Sequence, residues 1–523
     1  MAFISQRLDR TTSSVIVFGL MTILGVSAFM LANAVASLPR RAAVGALMVA
    51  ILLVVAFLSG RPKEVFLFSW IVALTYNRQY FIFVPLVGEQ GSQGPYIIAS
   101  DFFLCLLLTY WMYERIVLKV QRKPKSPRLW PWYLPFAAVC LLSAYQAQRV
   151  DWALFDMIRV VKVAIILHYT RYNFGKREWW IAAVALSTAM LVQASLGTIE
   201  VVTRRSGALG IFGLGGGDIT VTERFEGEFS QELWYGSYRA TATMSHPPNL
   251  ASYFLLTVPL CLCLGLTAPR PTWRLAASAA GLIGLAGLAA TQSRWPWALM
   301  AIDLVLLFPG LMLLGMLPVK RMIGIVSVCT LAGLLVLIPL REKIAQRLSA
   351  DLRLSSQGRI EEVRALMGMF VEHPFLGVGL NNTRSEVLKY RPELRYSLDL
   401  DTELTHQLHL RAIVSPQNGF AHVLLELGVL GFLTYLYWIT GVFWIGMRAL
   451  AGTTAHRRAA CFGMLLGVFG TFFHQVVDFS FWVDPLLYSF PLVVGLMNSA
   501  SVVEPEEQRN TTKSNTRYQY ANT

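Results

Sequence analysis

Long apolar runs separated by short polar joints set the pattern of this chain. Stretches of about 20 apolar residues, the length that crosses a bilayer as a helix, recur roughly fourteen times. They fall near 14–33, 42–59, 64–85, 97–118, 130–146, 152–171, 178–202, 248–267, 273–290, 295–317, 322–340, 419–447, 459–478 and 483–500. Two are interrupted, the third by Asn77, Arg78 and Gln79 and the sixth by Asp156, Arg159 and Lys162. The pattern predicts an all-α polytopic membrane protein of about 14 transmembrane helices, with its integral membrane domain over 1–500. Two long polar loops remain, 203–247 and 341–417, together with a polar tail at 501–523 that reads as disordered. The second loop precedes helix 12 and is partly helical by its pattern, because Ile360, Val363, Met367 and Phe370 recur at spacings of three and four.

Composition agrees with the pattern: 55% of residues are apolar and only 15% charged, well below the share of a soluble domain. A net charge of +14 would suggest nucleic acid in a soluble protein, but here its placement is the orientation signal. Lys and Arg gather in alternate short joints, at Arg61/Lys63, Lys119–Arg128, Arg171–Arg177, Arg270/Arg274, Lys320/Arg321 and Arg448–Arg458. That alternation puts both termini and the tail in the cytoplasm and the two long loops outside, with membrane lipid and not nucleic acid as the bulk partner. The first run, although ANAVAS at 32–37 resembles a cleavage site, is long enough for an anchor. All six cysteines lie in apolar runs and read as small buried hydrophobes.

Chemistry concentrates at the outer boundary. Arg239 stands in YRATATMSHPPNLASYF, Arg294 in TQSRWPWALM and Arg359 in SQGRIEEV. Each alone could be an interfacial arginine reaching headgroups. Three on one face suit a diphosphate at the bilayer surface, since guanidinium binds phosphate bidentately and keeps its charge. His373-Pro374 and Gly377-Val378-Gly379 read as a structural turn. Gln417 and Asn418 stand at the start of span twelve, where they either aim amides at a ligand or simply cap the helix. His422 shares a helical face with Asn418, and His246 lies beside Pro247. Within the spans, Asp101, Asp156, Arg159 and Lys162 either pair with one another or line a polar cavity.

The order YRATATMSHPPNLA, TQSRWPW, GRIEEVRAL, HPFLGVG and QNGFAHVLLELGVLGFL resembles the O-antigen ligase and polysaccharide polymerase family of bacterial membrane glycosyltransferases. The motifs cover about 235–435, and the topology is similar over the whole chain. The resemblance implies transfer of a glycan from an undecaprenyl-diphosphate-linked oligosaccharide, on the periplasmic side of the inner membrane, with no metal or other cofactor. It implies that Arg239, Arg294 and Arg359 bind the donor diphosphate. The family's histidine, in a His-Asn pair, falls on Gln417, with Asn418 retained. Glutamine cannot titrate, so the acceptor's proton must go elsewhere, with His422 and His246 the nearest candidates.

The expected activity is polymerisation of lipid-linked repeat units into a surface or exported polysaccharide, possible partners including a chain-length regulator. One alternative is a ligase acting on a lipid A core or protein hydroxyl. Another, of a different class, is a flippase for the same lipid, for which the charged residues inside the spans would line the path.

Overall fold

In the computed structural model the described residues are 51–77, 79–81, 96–120, 123–203, 239–244, 246–324, 327, 366–390, 418–451 and 453–501. The chain forms two units, Met1–Phe66 and Leu67–Thr523. Of the first, residues 51–58 are helical and Gly60 turns the chain with φ of 64°. Helix α1, Pro62–Ala73, leads into the second unit.

The second unit is helical apart from one short hairpin among the described residues. Strand β1, Gln79–Phe81, pairs antiparallel with β2, Tyr96–Ile98, in the register Gln79↔Ile98 and Phe81↔Tyr96. The interrupted span 64–85 is therefore a helix ending at Ala73 followed by extended chain. After the hairpin come α2, Ala99–Ile116; α3, Trp130–Tyr145; α4, Val150–Asn173; and α5, Lys176–Thr203. Then follow α6, Pro247–Thr267; α7, Pro271–Ala290; α8, Arg294–Leu313; and the short α9, Thr383–Tyr390. The chain closes with α10, Gly419–Ala451; α11, Ala455–His474; a 3₁₀ turn at Ser480–Trp482; and α12, Asp484–Ala500. Proline at the first or second position opens α3, α6, α7 and α12, where its fixed φ suits a helix start and its missing N–H costs nothing.

Five described helices, α5, α6, α7, α8 and α10, are long and apolar enough to cross a membrane. The remainder of the expected fourteen are shorter, like α3 and α12, or more charged, like α2 and α4, or lie outside the described residues, as do span 14–33 and nearly all of 322–340. The loop segments 203–247 and 341–417 are described only at their edges and over 366–390, and of 501–523 only Ser501 is described. The centre of the bundle is α6, buried along almost its whole length between α11, α7, α5 and α8. Gly463 and Gly467 bring the α11 backbone directly onto α6, since a Cβ there would stand 2.5 Å from Pro259 O and 2.3 Å from Leu256 O. Small residues four apart are how membrane helices achieve such approach.

Helix α10 is broken at Gly428, where φ is 64° and ψ −166°. A break inside an apolar bundle frees carbonyls on one side and N–H groups on the other, and all must find partners. HPFLGVG supplies them. Val429 N–H donates to Pro374 O at 2.8 Å and Leu430 N–H to Phe375 O at 3.2 Å. Leu425 O accepts from Val378 N–H at 2.9 Å and Glu426 O from Gly379 N–H at 3.1 Å. The segment is the turn that its proline and glycines predict, and it also supplies the missing hydrogen bonds along a broken helix. On its other side Gln146 Nε2 donates to Gly377 O at 2.6 Å, and Ser143 Oγ lies 3.0 Å from Leu376 O. The contact is backbone on backbone: a Cβ on Gly428 would sit 2.3 Å from the Phe375 carbonyl carbon. Gly428→Ala should therefore lower stability by about 2 kcal/mol or more. A thermal melt of the detergent-solubilised protein followed by size exclusion checks this, with Gly324→Ala, whose Cβ meets nothing within 4 Å, expected to melt as the parent does.

Candidate functional site

Arg239 is placed by the residues after it. The α5 carboxylate Glu200, fully buried, accepts from the N–H groups of Thr241 at 2.9 Å and Ala242 at 2.7 Å. Two turns earlier on the same helix, Gln193 Nε2 donates to Thr75 Oγ1 at 2.9 Å and to Thr243 Oγ1 at 2.7 Å. The ATAT motif is thus an anchor on α5, which explains its small hydroxyl-bearing residues. Thus fixed, Ala240 N–H donates to Ala290 O at 3.0 Å, and Arg239 lies on the α7–α8 turn. Its Nε donates to Thr291 O at 2.9 Å and its Nη2 to Ser293 Oγ at 3.0 Å. Arg294, the next residue, opens α8. The two arginines, 55 positions apart in sequence by subtraction of their numbers, are brought to one turn. Arg359 and Gln417 lie outside the described residues.

The start of α10 stands near by, across the end of α11. Trp295 Nε1 donates to Phe473 O at 3.4 Å, Gly419 N–H to Gln475 O at 2.8 Å and Asn418 Nδ2 to Val476 O at 2.7 Å. Asn418 Oδ1 accepts from Phe420 N–H at 2.9 Å and Ala421 N–H at 3.0 Å, an N-cap. Capping, the plainer of the two readings, is what this side chain does. The α11 end is itself tied to α6, because His474 Nδ1 lies 2.5 Å from Ser252 Oγ, which lies 2.6 Å from Ser480 Oγ.

Behind that end is a cavity between α3, α4, α10 and the 3₁₀ turn, lined by Tyr133, Tyr435, Trp438 and Trp482 among apolar residues. Four chemically capable groups line it: Asp156, Arg159, His422 and Glu426. His422 Nε2 is 3.5 Å from Glu426 Oε2, one helical turn on. The imidazole also packs on the rings of Phe479 at 5.0 Å and Trp482 at 5.7 Å. Glu426, 4% exposed, accepts from Asn381 N–H at 2.8 Å and Thr383 Oγ1 at 3.0 Å. His246, by contrast, is exposed at the N-cap of α6 and does not line the cavity.

The charges inside the spans pair. Arg159 binds Asp156 at 2.9 Å, Asp484 of α12 at 2.9 Å and the carbonyl of Trp482, while Lys162 binds Asp101 at 2.9 Å. Tyr96 donates to Asp484 at 2.6 Å. Burial, then the neighbouring Asp484 carboxylate, holds the Tyr96 phenol well above its ordinary pKa, so it remains a donor. Of the two open readings, pairing holds for all four, and Asp156 and Arg159 line the cavity as well. Sequence reasoning passed over Glu426, Asp484 and Trp482. For Glu426 a signal existed, its i,i+4 relation to His422 in the ELG motif. For Asp484, 325 residues from Arg159, there was none.

The described residues thus form a helical membrane protein with Arg239 and Arg294 at one interhelix turn and a His422–Glu426 pair lining a cavity. Residues 279–436 match the O-antigen ligase family model, a match that supports a protein of O-antigen ligase or related polymerase type. The matched stretch includes the α7–α8 turn, HPFLGVG and the break in α10; Arg239 precedes it. No curated protein matches the chain.

Removing one partner of the buried ionic cluster leaves an uncompensated charge, which costs about 3–5 kcal/mol. Asp484→Ala should therefore markedly reduce the yield and melting temperature of solubilised protein, and Asp484→Asn, which keeps an acceptor for Arg159 and Tyr96, should fall between it and the parent.

Proposed function

We propose that the protein is an inner-membrane glycosyltransferase, needing no metal, that polymerises undecaprenyl-diphosphate-linked repeat units on the periplasmic face. The observation that carries this reading is the meeting of Arg239 and Arg294 at the α7–α8 turn. Two guanidinium groups at a helix start, beside the membrane boundary, suit a diphosphate that gains negative charge as it leaves. Arg359, on the long loop that would cover the donor, is a third contact in this scheme. Covering matters because water would compete with the acceptor. Both termini face the cytoplasm in this reading, and a chain-length regulator is a fitting partner.

The family match admits ligation as well as polymerisation. Gln417, standing where ligases of the family carry their histidine, favours the polymerase. Purified protein given lipid-linked repeat units alone should make a ladder of products; a ligase would need an added acceptor. Arg239→Ala and Arg294→Ala should each abolish elongation, a loss of at least about a hundredfold, with protein level and insertion unchanged. Polymer of normal length and amount in both variants would remove the diphosphate site.

A further inference from the structure

We infer that the cavity behind the α11 end is the acceptor subsite, with His422 the base that takes the acceptor hydroxyl's proton and Glu426 the residue that positions it. The inference rests on the transferase reading above and adds where the second substrate reacts.

A histidine, two carboxylates and an arginine bordering one cavity of an apolar bundle need a compensating use or complete pairing. Arg159 has a partner for each of its three nitrogens: Nε donates to Asp484, Nη1 to Asp156 and Nη2 to the Trp482 carbonyl. Its role is to hold the 3₁₀ turn, and so to hold Trp482 against the His422 ring. Glu426 is held too, by Asn381 and Thr383 from the far side of HPFLGVG. Its Oε2 is turned to His422 Nε2 at 3.5 Å. Phe479 closes another side of the ring. An imidazole clamped by a carboxylate and two aromatic rings has its orientation set in advance, and the carboxylate stabilises the imidazolium formed when a proton is taken.

The site also answers a deficit. The position where the family has its histidine holds Gln417, which cannot accept a proton at neutral pH. His422 stands on the first turn of the helix that Gln417 leads into, one turn after Asn418, whose carbonyl accepts the His422 N–H at 3.0 Å. Of the two replacement histidines that the sequence offers, His422 lines this cavity and His246 does not. The cavity's aromatic walls, Tyr435, Trp438 and Trp482, give flat apolar faces, and its carboxylates give hydrogen-bond acceptors. At about 40 Å³ the cavity admits a hydroxyl and the ring edge that bears it, not a whole ring, which suits the terminal sugar of a glycan acceptor entering edge-on.

The step balances as follows. The acceptor hydroxyl gives its proton to the imidazole while its oxygen forms a bond to the donor's anomeric carbon. The bond from that carbon to the diphosphate oxygen breaks, its electron pair leaving with the polyprenyl diphosphate. Arg239 and Arg294 face the charge so gained, and the imidazolium returns its proton to solvent.

The test uses full-length protein in lipid nanodiscs and lipid-linked repeat units extracted from cells lacking the protein. Undecaprenyl diphosphate binding is measured in parallel. His422→Ala should lose elongation about a hundredfold or more, keep parental binding of undecaprenyl diphosphate, and regain elongation with added imidazole. Glu426→Gln should lower kcat at least about tenfold with KM for the lipid-linked donor unchanged. Parental elongation in His422→Ala, or a loss that imidazole does not relieve in protein that still binds undecaprenyl diphosphate, would overturn the base assignment. Parental kcat in Glu426→Gln would overturn its positioning role. Failure of the polymerase reading looks different: Arg239→Ala would elongate normally, or the parent would make no ladder.

Discussion

A helix that stops inside an apolar bundle must find other partners for its backbone, and the arrangement around Gly428 is the answer to that demand. Four hydrogen bonds from residues 374–379 repair the break. They also dictate the neighbourhood, because a segment laid that closely on α10 must have glycine at its contact points and must end in a polar corner. The corner is Asn381 to Thr383, and what it binds is Glu426. The same repair therefore fixes the carboxylate, and through it the imidazole one turn above.

The ionic cluster around Arg159 works on the same helix ends from the opposite direction. Charges in low dielectric are costly unless satisfied, and here three elements contribute: α4, α12 and the 3₁₀ turn. The product is a rigid wall to the cavity made by the chain just beyond α11. The arginine turn depends on a different anchor, Glu200 and Gln193 on α5. Two independent supports thus hold the arginine turn and the cavity lined by His422 and Glu426.

Much of this was legible in the residues. Apolar run lengths located most of the described helices, and Arg239 is brought onto the α7–α8 turn that Arg294 ends. Asn418 was legible as a cap, since a polar residue before an apolar run has few other uses. HPFLGVG was legible as a turn from its proline and glycines, and a turn it is, but its backbone pairing with α10 was not, because those partners lie about fifty residues further along the chain. The charges of α4 made that span look doubtful for the same reason: local pattern reveals the cost of a buried charge, whereas its compensation by Asp484 is set by the fold. Glu426 was hidden in plain sight as part of a motif whose members serve different ends.

The glycine seam between α6 and α11 has a consequence for how substrates can be handled. Helices in backbone contact along Gly463 and Gly467 cannot slide or part without losing that contact, so they behave as one stiff partition. The arginine turn is fastened to that partition through Trp295 and Phe473, and α10 through Gly419 and Gln475. The spacing between the two places is accordingly a property of the scaffold. A molecule engaging both is gauged against a fixed ruler, and selection follows from whether its own length bridges the gap.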